Sequence, residues 1–168
     1  MDLIIEKAKP ADAEAILEFT RIVGAETDNL SYGAEGIGFS TEQEIAHIES
    51  LENSETGIFL VAKDGNEIIG TASFHTYPKK RVAHRGVFGI SVKKDHWNRG
   101  VGTKLMEKAL EFAKNTAHAK IVSLEVRSDN LAAIHLYEKF GFQKIGTFKG
   151  FFLIEGEMVD LDIMELFF

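Results

Sequence analysis

Apolar residues recur along this chain at two different spacings, and the switches between them mark out its elements. Residues 3–9, LIIEKAK, open apolar and predict a strand. Pro10 then suits the first turn of a helix, with Asp12 and Glu14 near its positive end, and ADAEAILEFTRIV carries that helix to about Gly24. Residues 27–40 hold too much Gly, Ser and Asn for an element, and a loop of that length is usually functional or mobile. STEQEIAHIESLE, residues 40–52, predicts a short helix opened by a capping box between Ser40 and Gln43.

From residue 57 the spacing tightens. Residues 57–63 and 67–77 predict two strands joined by the hairpin turn Asp64-Gly65-Asn66, and residues 81–92 a third, antiparallel to its neighbour. The helical spacing returns at Val101, whose apolar face continues through Leu105, Ala109, Phe112 and Ala113 while Lys104, Lys108 and Glu111 face outward. Residues 120–127 predict a strand, and residues 131–140 a helix stopped by Gly141 in the place of a left-handed C-cap. Two long strands around Gly156 complete the chain. This order predicts one α+β domain over residues 1–168, with a mixed, mostly antiparallel central sheet of about seven strands and helices on both faces.

Composition narrows the classes of function. With 45% hydrophobic and 27% charged residues the chain suits a globular domain, and no run approaches the ~18 apolar residues of a membrane span. MDLIIEKAKP predicts no signal peptide. The absence of cysteine rules out disulfides, zinc–thiolate sites and a cysteine nucleophile, and it suits a cytoplasmic location. A net charge of −7 makes nucleic acid a poor partner. Six scattered histidines, none paired at i and i+4, predict no metal site.

The chemistry concentrates in DHWNRGVGTKLMEKALEFAK, residues 95–114. Glycine is a poor helix former, yet Gly100 and Gly102 stand where the helix begins. A helix N-terminus leaves about four unpaired N–H groups and roughly half a positive charge, and small residues let an anion reach them. Asn98, Arg99, Thr103 and Lys104 add polar and cationic groups around this nest. A dinucleotide fingerprint would need glycine at Leu105, and the P-loop pattern is missing, so spacing alone points to a phosphate-bearing ligand or to a plain turn.

The succession of FGISV, KKDHWNRGVGTKLM, a further strand and SDNLAAIHLYEKFGF resembles the GNAT superfamily of acyl-CoA-dependent N-acetyltransferases. Gly100, Val101 and Gly102 match its pyrophosphate loop, although Trp97 stands where that loop usually has Arg or Gln. Asn130, Ala133, Tyr137, Gly141 and Phe142 match a second signature. The resemblance implies a GNAT-like fold and acetyl-CoA as co-substrate. It places the pantetheine arm between the strand ends at Ile90–Val92 and Leu124–Val126, and the pyrophosphate on the amides from Arg99 to Lys104. Asn130, Ala133 and Tyr137 share one helix face, which would follow the arm.

Acetyl transfer needs a deprotonated amine, although an alkylammonium titrates near ~10, and a departing thiolate. The resemblance implies Tyr137 as the acid beside the sulfur. The base stays open among His84, His75 and Glu125. There is no nucleophilic Ser or Cys signature, which suits direct attack by the amine. The resemblance also implies an acceptor between residues 26–38, with Glu26, Asp28, Tyr32 and Glu35, and the last two strands, with Glu155, Glu157, Asp160 and Asp162. Such acids suit a small cationic or polyamine-like amine. A protein or peptide N-terminus, or a non-catalytic acyl-CoA sensor, are the alternatives. The apolar C-terminal tail suggests a homodimer.

Overall fold

The computed structural model describes all 168 residues. Strand β1 (Leu3–Lys7) ends ahead of Pro10, which opens a single 3-10 turn closed by Asp12, whose carboxylate accepts the Lys9 N–H at 2.9 Å. Helices α1 (Ala13–Glu26) and α2 (Thr41–Leu51) follow. The α2 start has the expected reciprocal cap: Ser40 Oγ accepts the Gln43 N–H at 3.1 Å, and Gln43 Oε1 accepts the Ser40 N–H at 2.9 Å.

Strands β2 (Gly57–Asp64), β3 (Glu67–Thr76) and β4 (Arg85–Val92) form the meander read from the sequence. The third is shorter than expected. Val82 and Arg85 donate to the carbonyls of Lys79 and Val82, so residues 79–84 coil into turns and strand pairing starts only at Arg85. Helix α3 (Val101–Asn115), strand β5 (Ile121–Arg127), helix α4 (Leu131–Lys139) and the long hairpin of β6 (Gln143–Ile154) and β7 (Glu157–Phe167) complete the chain.

All seven strands form one sheet in the order β1-β2-β3-β4-β5-β7-β6. Every adjacent pair is antiparallel except β4 and β5. Alternation along the strands divides the molecule. Leu60, Ala72, Phe74, Phe88, Val122 and Leu124 face α3 and α4, and pack against Leu105, Met106 and Ala109. Val61 and Ile68 face the other way, onto Ile16, Phe19 and Val23 of α1 and Ile48 of α2. Burying each of the larger side chains contributes about 1.5–3 kcal/mol, which holds the two layers to the sheet.

Candidate active site

The sheet opens where its one parallel pair diverges. β4 and β5 pair only over Arg85–Val87 and Ile121–Ser123. Beyond those residues β4 keeps its ladder with β3, and β5 its ladder with β7, but Phe88–Val92 and Leu124–Arg127 have no ladder to each other. Their facing backbone groups favour an extended guest that brings its own amides, as an added strand would. A cavity of about 800 Å³ occupies this opening and reaches both faces of the sheet. Phe88, Ile90, Leu124 and Tyr137 line it on the α3–α4 side, and Ile16, Val23, Phe59 and Ser73 on the α1–α2 side.

The N-terminus of α3 points into the same cavity. The first helical bond runs from the Lys104 N–H to the Gly100 carbonyl at 3.1 Å, and no side chain caps the end. The N–H groups of Val101, Gly102 and Thr103 therefore have no protein acceptor. Gly100 has φ +79°, a left-handed conformation that glycine adopts without strain. A Cβ at Gly102 would stand 3.3 Å from Leu136 and 3.8 Å from Ile90, partly filling the space between α4 and the tip of β4. These features fit a diphosphate on the helix end. Trp97 donates its indole N–H to the Val92 carbonyl at 2.8 Å, so the residue at the unmatched loop position ties the loop to β4.

Tyr137 projects from α4 against the Phe142 ring, with centroids 6.1 Å apart, and is 7% exposed. Burial pushes its phenol up to about 12, so it is protonated at any physiological pH. Asn130 caps the same helix, accepting the Ala133 N–H at 3.3 Å. Asn130, Ala133 and Tyr137 all line the cavity, as do Ile90, Val92, Asn98, Gly100, Val101, Gly102 and Thr103. Arg99 and Lys104 are exposed just outside the lining.

The three candidates for the base separate cleanly. Glu125 lies in the lining, where β5 has left β4 but still pairs with β7. His84 does not. The turns at 79–84 leave it exposed at the paired end of β4, where its carbonyl accepts the N–H groups of Lys120 and Ile121 at 2.7 and 3.2 Å. His75 is exposed on β3, opposite Gly57 and Val87, also outside the lining.

The acceptor side departs from the expectation of acidic walls. Glu26 accepts the Lys94 N–H at 2.8 Å, and Glu35 the Gly33 N–H at 2.9 Å. Asp160 is held by Lys149 and the Gly150 N–H, and buried Asp162 by Ser128, Thr147 and Lys144. None of these acids lines the cavity; the wall there is Thr27, Asn29, Leu30, Tyr32, Ile37 and Phe39. The loop fits closely on α1 because Gly24 has no side chain: a Cβ there would stand 1.9 Å from the Gly33 carbonyl oxygen. Burial raises the Tyr32 phenol, and the neighbouring Ser91 opposes the shift.

One carboxylate of this wall escaped sequence reasoning. Glu44 of α2 lines the cavity, is 1% exposed, and has no hydrogen-bond partner for either oxygen. Burial raises its pKa from the ordinary 4.5. The signal was in the spacing, since Glu44, Ile48 and Leu51 share the apolar stripe of α2. Acids are so common in a first helical turn that this one reads as ordinary.

Residues 25–142 match the model of the "Acetyltransferase (GNAT) family". An acetyltransferase of the GNAT family from Streptococcus pneumoniae is 32% identical, with a TM-score of 0.95 over 99% of this chain and 100% of its own. The L-amino acid N-acetyltransferase AaaT of Escherichia coli (strain K12) is 36% identical over 101 residues, which span 60% of this chain and 62% of the relative. A Salmonella typhimurium protein solved with its cofactor acetyl-CoA shares the fold, with a TM-score of 0.84 and 21% identity over 99% of this chain and 94% of its own. The sheet opened between β4 and β5, the bare α3 end and the match over well over half of the chain agree: the chain belongs to the acetyltransferase (GNAT) family.

Proposed function

We propose that this GNAT-family N-acetyltransferase moves the acetyl group of acetyl-CoA to the primary amine of a small cationic acceptor, by direct attack. One observation carries the reading. The opened strand edges lead from the uncapped amides of Val101–Thr103 to Tyr137 inside a single cavity. Acetyl-CoA supplies an activated acyl group, whose carbonyl carbon bonds to the amine nitrogen while the carbon–sulfur bond breaks.

Val101, Gly102 and Thr103 hold the diphosphate through their N–H groups, and Ile90–Val92 and Leu124–Val126 border the pantetheine. Asn98, Arg99, Lys104, Asn130 and Ala133 complete the binding surface. Glu125 accepts the amine's proton as the new bond lowers the nitrogen's basicity. Tyr137 donates toward the sulfur. The burial that keeps its phenol protonated also disfavours a bare thiolate beside it, which draws the proton across. The balance is amide, CoA thiol and one released proton per ammonium consumed.

The test is thiol release from acetyl-CoA with a panel of amines, beside calorimetry of acetyl-CoA. Tyr137→Phe and Glu125→Gln are each expected to lower kcat on the order of 100-fold without weakening acetyl-CoA binding. Failure to bind acetyl-CoA sinks the reading, and binding with no release from any amine makes the protein a sensor instead.

A further inference from the structure

We infer that Glu44 forms a distal cation subsite, so that the preferred acceptor is an aliphatic diamine or polyamine whose second ammonium pairs with this carboxylate. The inference rests on the acetyltransferase reading above and names the acceptor class for that cavity.

Three observations carry it. The first is the unmet need of Glu44. A carboxylate buried without a hydrogen-bond donor or counter-ion is destabilising, and a protein that keeps one has a reason outside the free fold. The second is its surroundings. Ile16, Val23, Ile37, Phe39 and Phe59 make this end of the cavity apolar, and His47 lies between the rings of Phe39 and Phe59, with centroids 6.4 and 5.7 Å away. Burial and the nearby His75 both lower the His47 pKa, so no histidinium competes for Glu44 at neutral pH. An alkyl chain fits the apolar wall, and its terminal ammonium would supply the missing donors.

The third is position. Phe59 of β2 pairs with Ser73 of β3, which pairs with Gly89 of β4 beside the opening. Phe59 therefore stands two strand spacings, about 9–10 Å, from the edge where transfer occurs. Glu44 lies one helical turn along α2 from His47, the residue packed on Phe59. A carboxylate at that remove serves a second charge on the acceptor, separated from the reacting nitrogen by several methylenes. Glu125, the other carboxylate in the lining, stands on β5 at the opening itself. The two acids therefore divide the work between the reacting and the distant nitrogen.

The experiment compares hexamethylenediamine with hexylamine, which share a chain and differ by one ammonium. In thiol-release assays the wild-type KM for the diamine is expected to be at least tenfold below that for the monoamine. Glu44→Gln is expected to bring the two KM values together, and Glu44→Asp to keep part of the gap. General damage to the fold would move both amines alike and leave their ratio standing. Calorimetry of both amines on CoA-saturated protein gives the same comparison without turnover. A diamine preference in binding but no acetylation would sink the enzymatic reading and leave the subsite. Equal binding of the two amines, or a preference that survives Glu44→Gln, would overturn the subsite while acetylation of either amine upheld the enzyme.

Discussion

Glu44 occupies a place that the apolar stripe of α2 would otherwise give to a leucine, and its cost follows the pH. Its carboxyl titrates above 4.5 in the fold, so the folded state holds the proton more tightly than the unfolded chain. Stability from this group is complete below pH 4.5 and is lost as pH rises through the folded value. Glu44→Gln is therefore expected to raise stability at pH 7, by on the order of 1–2 kcal/mol, with the gain vanishing below pH 4.5; denaturant melts at the two pH values check it. Tyr137 obeys the same sign at the alkaline end. Its phenol moves from 10.0 to about 12, so stability is lost between those values, and an absorbance titration should lose its most alkaline step in Tyr137→Phe. The resemblance singled out Tyr137, Gly100 and Gly102 in advance, because each fell within a spaced signature, and all three line the cavity. Glu44 went unread: its spacing with Ile48 put it on the apolar stripe of α2, but an acid in a first helical turn reads as ordinary, and its full burial comes from how α1, α2 and the 27–40 loop close together.

Elements were read well where an apolar period persisted and poorly where a turn interrupted it. Helix α3 carries a long, regular pattern and stands where expected, and the β6–β7 hairpin does too, although β6 shifts register twice against β7. The β4 segment carries one too, yet the turns at 79–84 shorten it, and with that His84 leaves the side of the cavity. The acidic walls failed for a related reason. Charges on loops find the nearest backbone donor or lysine, as Glu35 does with Gly33 and Asp160 with Lys149. The loop on α1 gives this scale its own prediction. In Gly24→Ala the new methyl must displace the Gly33 carbonyl, which costs about 1–3 kcal/mol. The KM for the amine is expected to rise while acetyl-CoA affinity holds, since α3 packs on the other side of the sheet from α1; steady-state kinetics beside calorimetry would show it.

At the scale of the molecule, the sheet is a platform whose halves are joined by three residue pairs between β4 and β5. A ligand lying along the gap bridges those halves, so acetyl-CoA at about 100 times its Kd is expected to add about 2.7 kcal/mol to stability, read as a rise in Tm. The last residue is tied into its own chain, the Phe168 N–H donating to the Lys120 carbonyl at 3.0 Å, while the Phe167 side chain stays exposed. The mixed, mostly antiparallel sheet and its helical layers were legible in the element order; the strand order, with β7 inserted between β5 and β6, and the width of the gap were not, since they depend on long-range pairing and on how two strands twist apart after their pairing ends.

A cavity that reaches both faces of the sheet also governs the traffic of substrates. The bare end of α3 lies toward one face and Glu44 toward the other, so on the proposed reading donor and acceptor would bind from opposite faces, and neither would have to leave before the other binds. Initial velocities plotted for several fixed concentrations of each substrate should therefore give lines that intersect, the mark of a ternary complex, whereas parallel lines would mean that the acetyl group pauses on the protein.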